Sequence, residues 1–274
     1  MIVLAVGANW NSDGEGGDRS TLNLSTNQTA LADAIFALSK PVILVLQGGR
    51  PFAIPEYYRQ SSAVISTFFP GQQGGLAISN ILFGLANPSG KLPMTTPRDV
   101  GTLPVYYHYK ATARANTYTD AHWKPSYPFG YGLSYTTFST SSFAGSPAAF
   151  GLNSTIIFSA VIHNTGEMAG SHVPQIYLLN RVSSTTQPVK QLVAFTKVYL
   201  KPGESRMVEM ELEADRYLPV LNRDMEWVLE GGEYIFVLAD SSEFDNDVVD
   251  EGNKVRLRCL GDQYQKAMGR KEEL

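Results

Sequence analysis

The chain has 274 residues, 43% apolar and 18% charged, which suits two domains with sizeable cores and disfavours long disordered tails. Its formal charge of −4 is divided unevenly: residues 1–140 carry 9 basic and 7 acidic side chains, and the remainder carries 13 and 19. Neither part has the basic excess of a nucleic-acid-binding protein. The single cysteine excludes an internal disulfide bond, and no apolar run is long enough to span a membrane.

Residues 1–100 alternate short apolar runs with segments of helical periodicity. The first run, "MIVLAVGA", predicts an inner strand covered on both faces. It lacks the basic start and the cleavage site of a signal peptide. Because the chain starts inside such a strand, we expect it to be the later part of a longer protein. The next segment, "STNQTALADAIFALS", predicts a helix whose apolar face consists of Leu31, Ala34, Ile35 and Leu38.

Two further apolar runs, "PVILVLQGG" and "SAVISTFF", predict strands, and "PGQQGGLAISNILFG" predicts a loop and a helix with Leu76, Ile78, Ile81 and Leu82 on one face. Strand, glycine-rich turn and helix repeat in this order. This alternation predicts a partial α/β sandwich over residues 1–100, with a mostly parallel sheet and helices on both faces. In such sheets the loops leaving the carboxyl ends of the strands form the binding crevice.

The rest of the chain has a different character. Residues 101–145, rich in aromatic residues, proline and glycine, predict an irregular connecting arm, and residues 263–274 predict a polar tail. Between them, residues 146–262 predict an all-β sandwich, because apolar and acidic residues alternate strictly in "SRMVEMELEAD" and short strands recur at about ten-residue spacing. Cys259 alternates with Val255 and Leu257, which predicts a strand residue with its side chain in the core.

The loop after the first strand carries the strongest candidate for chemistry. Glu15 lies between two glycines, which let the backbone approach a ligand closely, and Asp13, Asp18 and Arg19 are its neighbours. Like-charge repulsion from Asp13 and Asp18 would raise its pKa if they lie close, which suits a general acid. The alternative is a surface turn in which Asp18 and Arg19 form an ion pair and Glu15 is solvated.

The other motifs do not indicate a cofactor or metal site, but three of them are typical of N-glycosylation. The glycine-rich turns "QGGR" and "PGQQGG" fit neither of the nucleotide-binding patterns G-x-G-x-x-G and G-x-x-x-x-G-K-[ST], so we predict no cofactor. The four histidines lack metal-ligand spacing, so we predict no metal site. Three N-glycosylation sequons, at Asn23, Asn27 and Asn153, favour a secreted protein. The terminal "KEEL" resembles a retrieval signal, but a chance polar tail is the preferred explanation.

Several segments taken together resemble glycoside hydrolase family 3. "SDGEGGDRSTLNL" resembles the S-G-E-G-x-D-R loop of its β-glucosidases, "KPVILVLQGGRPFAI" the following strand and turn, and residues 69–107 a long and specific block. "YPFGYGLSYTTF" resembles the aromatic segment leading into the last domain, and "VIHNTGEMAG" and "QLVAFTKVYLKPGE" resemble that fibronectin type III-like (immunoglobulin-like) domain. The likeness covers about residues 1–240.

The resemblance implies a function. In this family a barrel domain carries a nucleophilic aspartate, the α/β sandwich lends an acid/base glutamate, and a β-linked sugar is removed from the non-reducing end with retention. By residue-to-residue match that glutamate is Glu15. The barrel and its nucleophile are missing from this sequence, and Gln73 stands where the family often has glutamate. We therefore expect this chain to be the C-terminal part of a β-glucosidase-type enzyme and to be inactive alone. The substrate of the whole enzyme would be a β-linked oligosaccharide or glycoside. We expect no nucleic-acid or membrane partner.

Three alternatives stay open at this point. The enzyme could be a β-xylosidase of the same family. The chain could be a non-catalytic two-domain remnant or binding module that has lost its barrel, or one part of a split enzyme whose barrel is a separate chain. If a signal peptide exists upstream, we expect a secreted or secretory-pathway protein.

Overall fold

The computed structural model describes residues 1–9, 12–17, 19–111, 118–120 and 122–263, with only the backbone of residues 262 and 263. The chain forms two units. Unit 1 comprises residues 1–86, 93–106 and 115–128, and unit 2 comprises residues 87–92, 107–114 and 129–274. The residues of the predicted connecting arm are divided between the two units, and the predicted polar tail after residue 263 lies outside the described residues.

Unit 1 alternates strands and helices, as predicted. In chain order these elements are β1 (Ile2–Gly7), α1 (Thr26–Phe36), β2 (Val42–Gln47), α2 (Pro55–Gln60), β3 (Ala63–Phe68) and α3 (Gly74–Leu82). The strands form a parallel sheet in the order β1–β2–β3, with Ile2 beside Val42 and Ile43 beside Ala63. All three strands therefore end at the same edge of the sheet, where the loops after β1, β2 and β3 begin.

The core of unit 1 lies around β2. Its fully or nearly fully buried apolar side chains include Leu4, Val6, Ala32, Val42, Leu44, Leu46, Phe52 and Ile54. β1 differs from the prediction that both of its faces are covered: Leu4 and Val6 are buried, whereas Val3 is 51% exposed. A fully apolar run therefore does not show by itself that both sides of a strand are covered.

The predicted apolar faces of the two longer helices are only partly correct. In α1 the sheet is contacted by Ala32, which is fully buried, and by Ile35, whereas Leu31 is exposed, as is Leu38, which lies two residues after the end of the helix. In α3 Leu76 is 59% exposed. Helix α1 therefore packs against the sheet through the small side chain of Ala32. Within the described residues, the larger side chains of Leu31 and Leu38 face outwards.

A glycine at the end of β1 sets the spacing to β2. Gly7 has φ +148°, and a Cβ atom on it would lie 1.7 Å from the carbonyl oxygen of Gln47. Ala8 then donates its backbone N–H to that same oxygen at 2.7 Å. The start of the loop after β1 is thus fixed by a close backbone contact that a side chain would prevent.

Unit 2 is built from strands. Their ranges are β4 (Phe138–Ser146), β5 (Ala149–Phe150), β6 (Thr155–Asn164), β7 (Gly170–His172), β8 (Gln175–Leu179), β9 (Gln191–Phe195), β10 (Val198–Leu200), β11 (Ser205–Glu213), β12 (Val220–Leu221), β13 (Trp227–Leu229), β14 (Gly232–Ala239), β15 (Lys254–Cys259) and β16 (Asp262–Gln263), with a short helix α4 (Ala214–Tyr217). The main sheets have the orders β11–β6–β4 and β5–β15–β14–β8–β9, and smaller ones join β10 to β7 and β12, β13 and β16.

The two main sheets of unit 2 enclose one apolar core. Phe158 of β6 and Phe236 of β14 meet there with ring centroids 4.8 Å apart, and both side chains are fully buried. The alternation predicted for β11 is confirmed, since Val208, Met210 and Leu212 are buried and the intervening glutamates are exposed. Cys259 is also buried, as predicted for a core strand residue.

A lysine is buried in unit 2. Lys190 is 8% exposed, and its ammonium donates to the carbonyl oxygens of Ser242 at 2.9 Å and Phe244 at 2.7 Å. The same nitrogen lies 3.7 Å from the centroid of the Phe244 ring. Burial lowers the pKa of Lys190 from its usual 10.5 to about 8, although the carboxylates of Asp245 and Glu243 act in the opposite direction.

The first prediction concerns the close contact at Gly7. We expect Gly7→Ala to lower the free energy of unfolding of unit 1 by roughly 1–3 kcal/mol, because the added methyl group overlaps the Gln47 carbonyl. Gly75→Ala is the matched control, since a Cβ there meets nothing within 4 Å and alanine favours a helix. Urea unfolding of both variants tests the prediction, and equal stabilities would contradict it.

The second prediction concerns Lys190. Below about pH 8 the lysine is charged in both the folded and the unfolded state, so folding bears the full cost of burying the charge. Between about pH 8 and the unfolded value of 10.5 the folded state releases its proton first, and the cost fades. The neutral amine still has hydrogens for both carbonyls.

We therefore expect the stability of the native chain, relative to Lys190→Met, to rise between about pH 8 and pH 10. Denaturant unfolding over this range measures the difference. Lys201→Met, at an exposed turn residue, should show no such trend relative to the native chain. A stability difference between the native chain and Lys190→Met that is constant with pH would refute the assignment.

Candidate functional site

The candidate site begins at the carboxyl end of β1. Besides the backbone bond from Ala8 to β2, the Gly7 N–H donates to the side-chain oxygen of Gln28 in α1 at 3.0 Å. The last residue of the strand is therefore bound to both the neighbouring strand and the following helix. The loop that follows starts from a fixed position.

Glu15 lies on a hydrogen-bonded turn of this loop. The backbone N–H groups of Ser12 and Asp13 donate to the carbonyl of Asn9 at 3.0 and 2.9 Å, and Gly17 donates to Gly14 at 2.8 Å. Gly16 has φ +77°, a conformation that a glycine adopts without strain. The Glu15 side chain is exposed at this turn, where its carboxylate is accessible to a ligand.

Asp13 faces a cation from the next loop along the sheet. Its Oδ1 accepts a hydrogen bond from Nε of Arg50 at 2.9 Å, and the two side chains are only 10% and 17% exposed. Arg50 also donates through Nη2 to the carbonyl of Asn23 at 3.3 Å and lies 4.6 Å from the ring centroid of Phe52. The negative charge of Asp13, predicted to act on Glu15, is therefore balanced by Arg50.

The loop carrying Arg50 is itself held in place. Ala53 donates its N–H to the carbonyl of Leu22 at 2.9 Å, and the hydroxyl of Tyr58 donates to the carbonyl of Phe52 at 2.8 Å. Burial raises the pKa of Tyr58 well above its usual value, so this hydroxyl remains a donor at neutral pH. The loops after β1 and β2 are joined by backbone as well as side-chain bonds.

The remaining predicted residues are spread over the surface. Arg19 is exposed, and Asp18 lies outside the described residues, so the alternative ion pair between them stays a prediction. The sequon residues Asn23, Asn27 and Asn153 are all exposed; Asn27 lies in the first turn of α1, and Asn153 follows β5 with φ +63°.

Arg50 is the residue that reasoning from the sequence missed. The glycine-rich turn "QGGR" fits neither nucleotide-binding pattern, and its local sequence assigns no role to its arginine. The available signal was a cation at the carboxyl end of one parallel strand and three acids at the carboxyl end of another. Since these ends meet at one edge of a sheet, such charges are candidates for pairing.

The described residues contain no group of three His, Cys, Asp or Glu side chains that could hold a metal ion. Over the same part of the chain, no helix has the length and apolar character needed to cross a lipid bilayer.

One exposed carboxylate on such a turn can donate a proton and take one back. Glycoside hydrolysis with retention needs two carboxyl groups about 5–5.5 Å apart. Asp13, the other acid described on this turn, is bound to Arg50. The described loop thus offers one carboxylate suited to acid/base work.

Comparison with protein families identifies both parts of the chain. Residues 1–135 match the glycosyl hydrolase family 3 C-terminal domain, and residues 172–242 match the fibronectin type III-like domain. The parallel sheet of unit 1 lies in the first match, and strands of the β-sandwich of unit 2 lie in the second.

Known proteins give the same result. The chain is 38% identical over 253 residues to a periplasmic β-glucosidase of Salmonella typhimurium, which covers 88% of this chain and 33% of the relative. It is 37% identical over 248 residues to a β-xylosidase of Formosa agariphila, covering 89% of this chain and 34% of the relative. The chain thus spans about a third of the length of these relatives.

A solved structure agrees in fold. The β-glucosidase of Listeria innocua, crystallised with isofagomine, superposes with a TM-score of 0.84 at 35% identity, over 94% of this chain and 36% of that protein. Both family models match this chain and a relative 38% identical to it covers 88% of its length, so the chain belongs to glycoside hydrolase family 3, of which it carries the C-terminal domain followed by the fibronectin type III-like domain.

Proposed function

We propose that this chain forms the C-terminal part of a retaining, exo-acting β-glycosidase that removes terminal non-reducing β-D-glucosyl residues. Glu15 is its acid/base residue. The observation that carries the proposal is the exposed Glu15 carboxylate on a glycine-flanked turn at the carboxyl end of β1, within a family 3 domain. Relatives named β-glucosidases support the substrate class.

In the proposed mechanism Glu15 acts twice. It first protonates the glycosidic oxygen while a nucleophilic carboxylate attacks the anomeric carbon, and it then takes a proton from the water that hydrolyses the glycosyl-enzyme intermediate. The nucleophile comes from a barrel domain outside this sequence, either upstream or on a separate chain. The relatives, about three times as long as this chain, leave room for such a domain.

The second candidate activity is β-xylosidase. It is favoured by the 37% identity to the Formosa agariphila enzyme, which differs little from the identity to the Salmonella relative. Glucose and xylose differ by one hydroxymethyl group, so a pocket distinguishes them through contacts at that group. The ratio of kcat/KM for aryl β-glucoside and aryl β-xyloside decides between the two.

We also propose that the protein is exported and glycosylated where its host allows this. The Salmonella relative is named as periplasmic, and the three sequon asparagines are exposed. An unglycosylated full-length product found only in the cytosol would end this part of the proposal.

The third prediction tests Glu15 in the full-length gene product. We expect Glu15→Gln to lower kcat/KM for cellobiose by roughly 10²–10⁴-fold, because a sugar alcohol leaves poorly without a proton donor. For dinitrophenyl glucoside kcat/KM should change little, while kcat and KM fall together because the intermediate accumulates. Azide, which needs no general base, should restore turnover of dinitrophenyl glucoside and yield a β-glycosyl azide.

Glu56→Gln is the matched control, since Glu56 is an exposed glutamate paired with Arg59 on α2 and should leave all of these parameters unchanged. If Glu15→Gln matches the native enzyme on cellobiose, Glu15 is a turn residue only. A non-catalytic remnant would show no turnover in the native full-length product.

The fourth prediction concerns the 274-residue chain by itself. We expect no hydrolysis of aryl β-glucosides or aryl β-xylosides, because one carboxylate can donate a proton but cannot also form the glycosyl-enzyme bond. Purified chain is assayed for release of the aryl alcohol. Activity that persists after repurification and disappears in Glu15→Gln would show that the chain contains its own nucleophile.

A further inference from the structure

We infer that Arg50 is a positioning residue for Glu15: its guanidinium holds the loop that presents the acid/base carboxylate at one point before Glu15 and one point after it. The inference rests on the proposed function of Glu15. It adds a second residue to that function, from the loop after β2 and 35 positions later in the chain.

The Arg50 side chain binds the loop on both sides of Glu15. Nε of Arg50 donates to Asp13, two residues before Glu15, and Nη2 donates to the carbonyl of Asn23, eight residues after it. Leu22, beside Asn23, is bound through its carbonyl to Ala53. The loop is therefore fixed on both sides of Glu15, whereas the glycines at its apex remain exposed or half-buried.

The ion pair is largely shielded from solvent, with the Asp13 side chain 10% exposed, which makes it sensitive to the loss of either partner. Asp13 accepts from Arg50 through Oδ1, and its Oδ2 is buried with no hydrogen-bond partner in the described residues. Arg50 thus supplies the hydrogen bond that compensates this buried charge. Removing Arg50 alone would leave a buried carboxylate without compensation, which favours movement of the loop towards water.

The guanidinium is itself oriented by its surroundings. It lies over the Phe52 ring and donates weakly to the carbonyl of Pro51 at 3.5 Å. Its planar fork can bind Asp13 and Asn23 at once through separate nitrogens, whereas a lysine ammonium is a single point charge. We therefore expect lysine to restore the charge at this position but only part of the geometry.

Position matters because a general acid must be within hydrogen-bond reach of the glycosidic oxygen. A misplacement of about 1 Å can cost on the order of 10²-fold in rate. Loss of Arg50 should therefore resemble a weakened Glu15: reactions that need a proton donor slow down, and reactions of activated leaving groups do not.

The fifth prediction uses the full-length gene product and a neutralised pair, Arg50→Gln with Asp13→Asn, which leaves no unpaired buried charge. We expect kcat/KM for cellobiose to fall roughly 10–100-fold, with little change for dinitrophenyl glucoside. The single variant Arg50→Lys should keep part of the cellobiose activity that the neutralised pair loses. Arg59→Gln, at a solvent-exposed ion pair, is the matched control and should have no effect on either substrate.

A double-mutant cycle separates positioning from a general structural effect. If Arg50 acts through Glu15, the neutralised pair added to Glu15→Gln should cost almost nothing further on cellobiose, because the acid is already absent. A loss that is the same in both backgrounds, or the same for both substrates, would overturn the inference.

Hydrogen–deuterium exchange of the 274-residue chain tests the anchor without any activity. The neutralised pair should speed exchange in residues 12–24 and leave β1 and β2 unchanged, and equal exchange would refute the anchor. If Glu15→Gln itself behaves like the native enzyme on cellobiose, the proposed function fails and the positioning role fails with it. In that case faster exchange would show that Arg50 fixes a loop without acid/base function.

Discussion

The partly buried ion pair between Asp13 and Arg50 is the interaction on which the candidate site depends. It can form because β1 and β2 are parallel neighbours, so the loops that leave them meet at one edge of the sheet. Its geometry depends in turn on the spacing of those strands, which the missing side chain of Gly7 allows. The close backbone contact at Gly7 therefore permits the ion pair, and the ion pair in turn positions Glu15.

The loops and cores of the two units are stabilised by different interactions. Unit 1 has a modest core around β2, and polar bonds at the strand ends fix the loops that carry the candidate chemistry. Unit 2 has a larger apolar core between two sheets, and a buried lysine there binds the carbonyl groups of a loop. In unit 1 hydrogen bonds hold the loop on both sides of its exposed turn, which is consistent with the role proposed for Glu15.

The sequence predicted the elements well because hydrophobic periodicity reports local geometry. The parallel α/β unit, the alternating strand β11 and the buried Cys259 are all confirmed. Periodicity was less successful for burial: Leu31 and Leu76 lie on apolar stripes and yet are exposed, because a stripe does not specify what covers it. The pairing of Arg50 with Asp13 spans 37 residues and is invisible to local patterns. The role proposed for Glu15 rests on its glycine flanks and on the family resemblance.

The one-sided covering of β1 has a practical consequence for handling the isolated chain. Within the described residues β1 pairs with β2 along one edge only, and Val3 projects from a face that is not covered. An edge strand with open backbone groups and an apolar surface is a template for addition of a strand from another molecule. Concentrated preparations of this chain should therefore tend to grow intermolecular β-sheet through β1, and a lysine in place of Val3 is the natural way to keep them monodisperse.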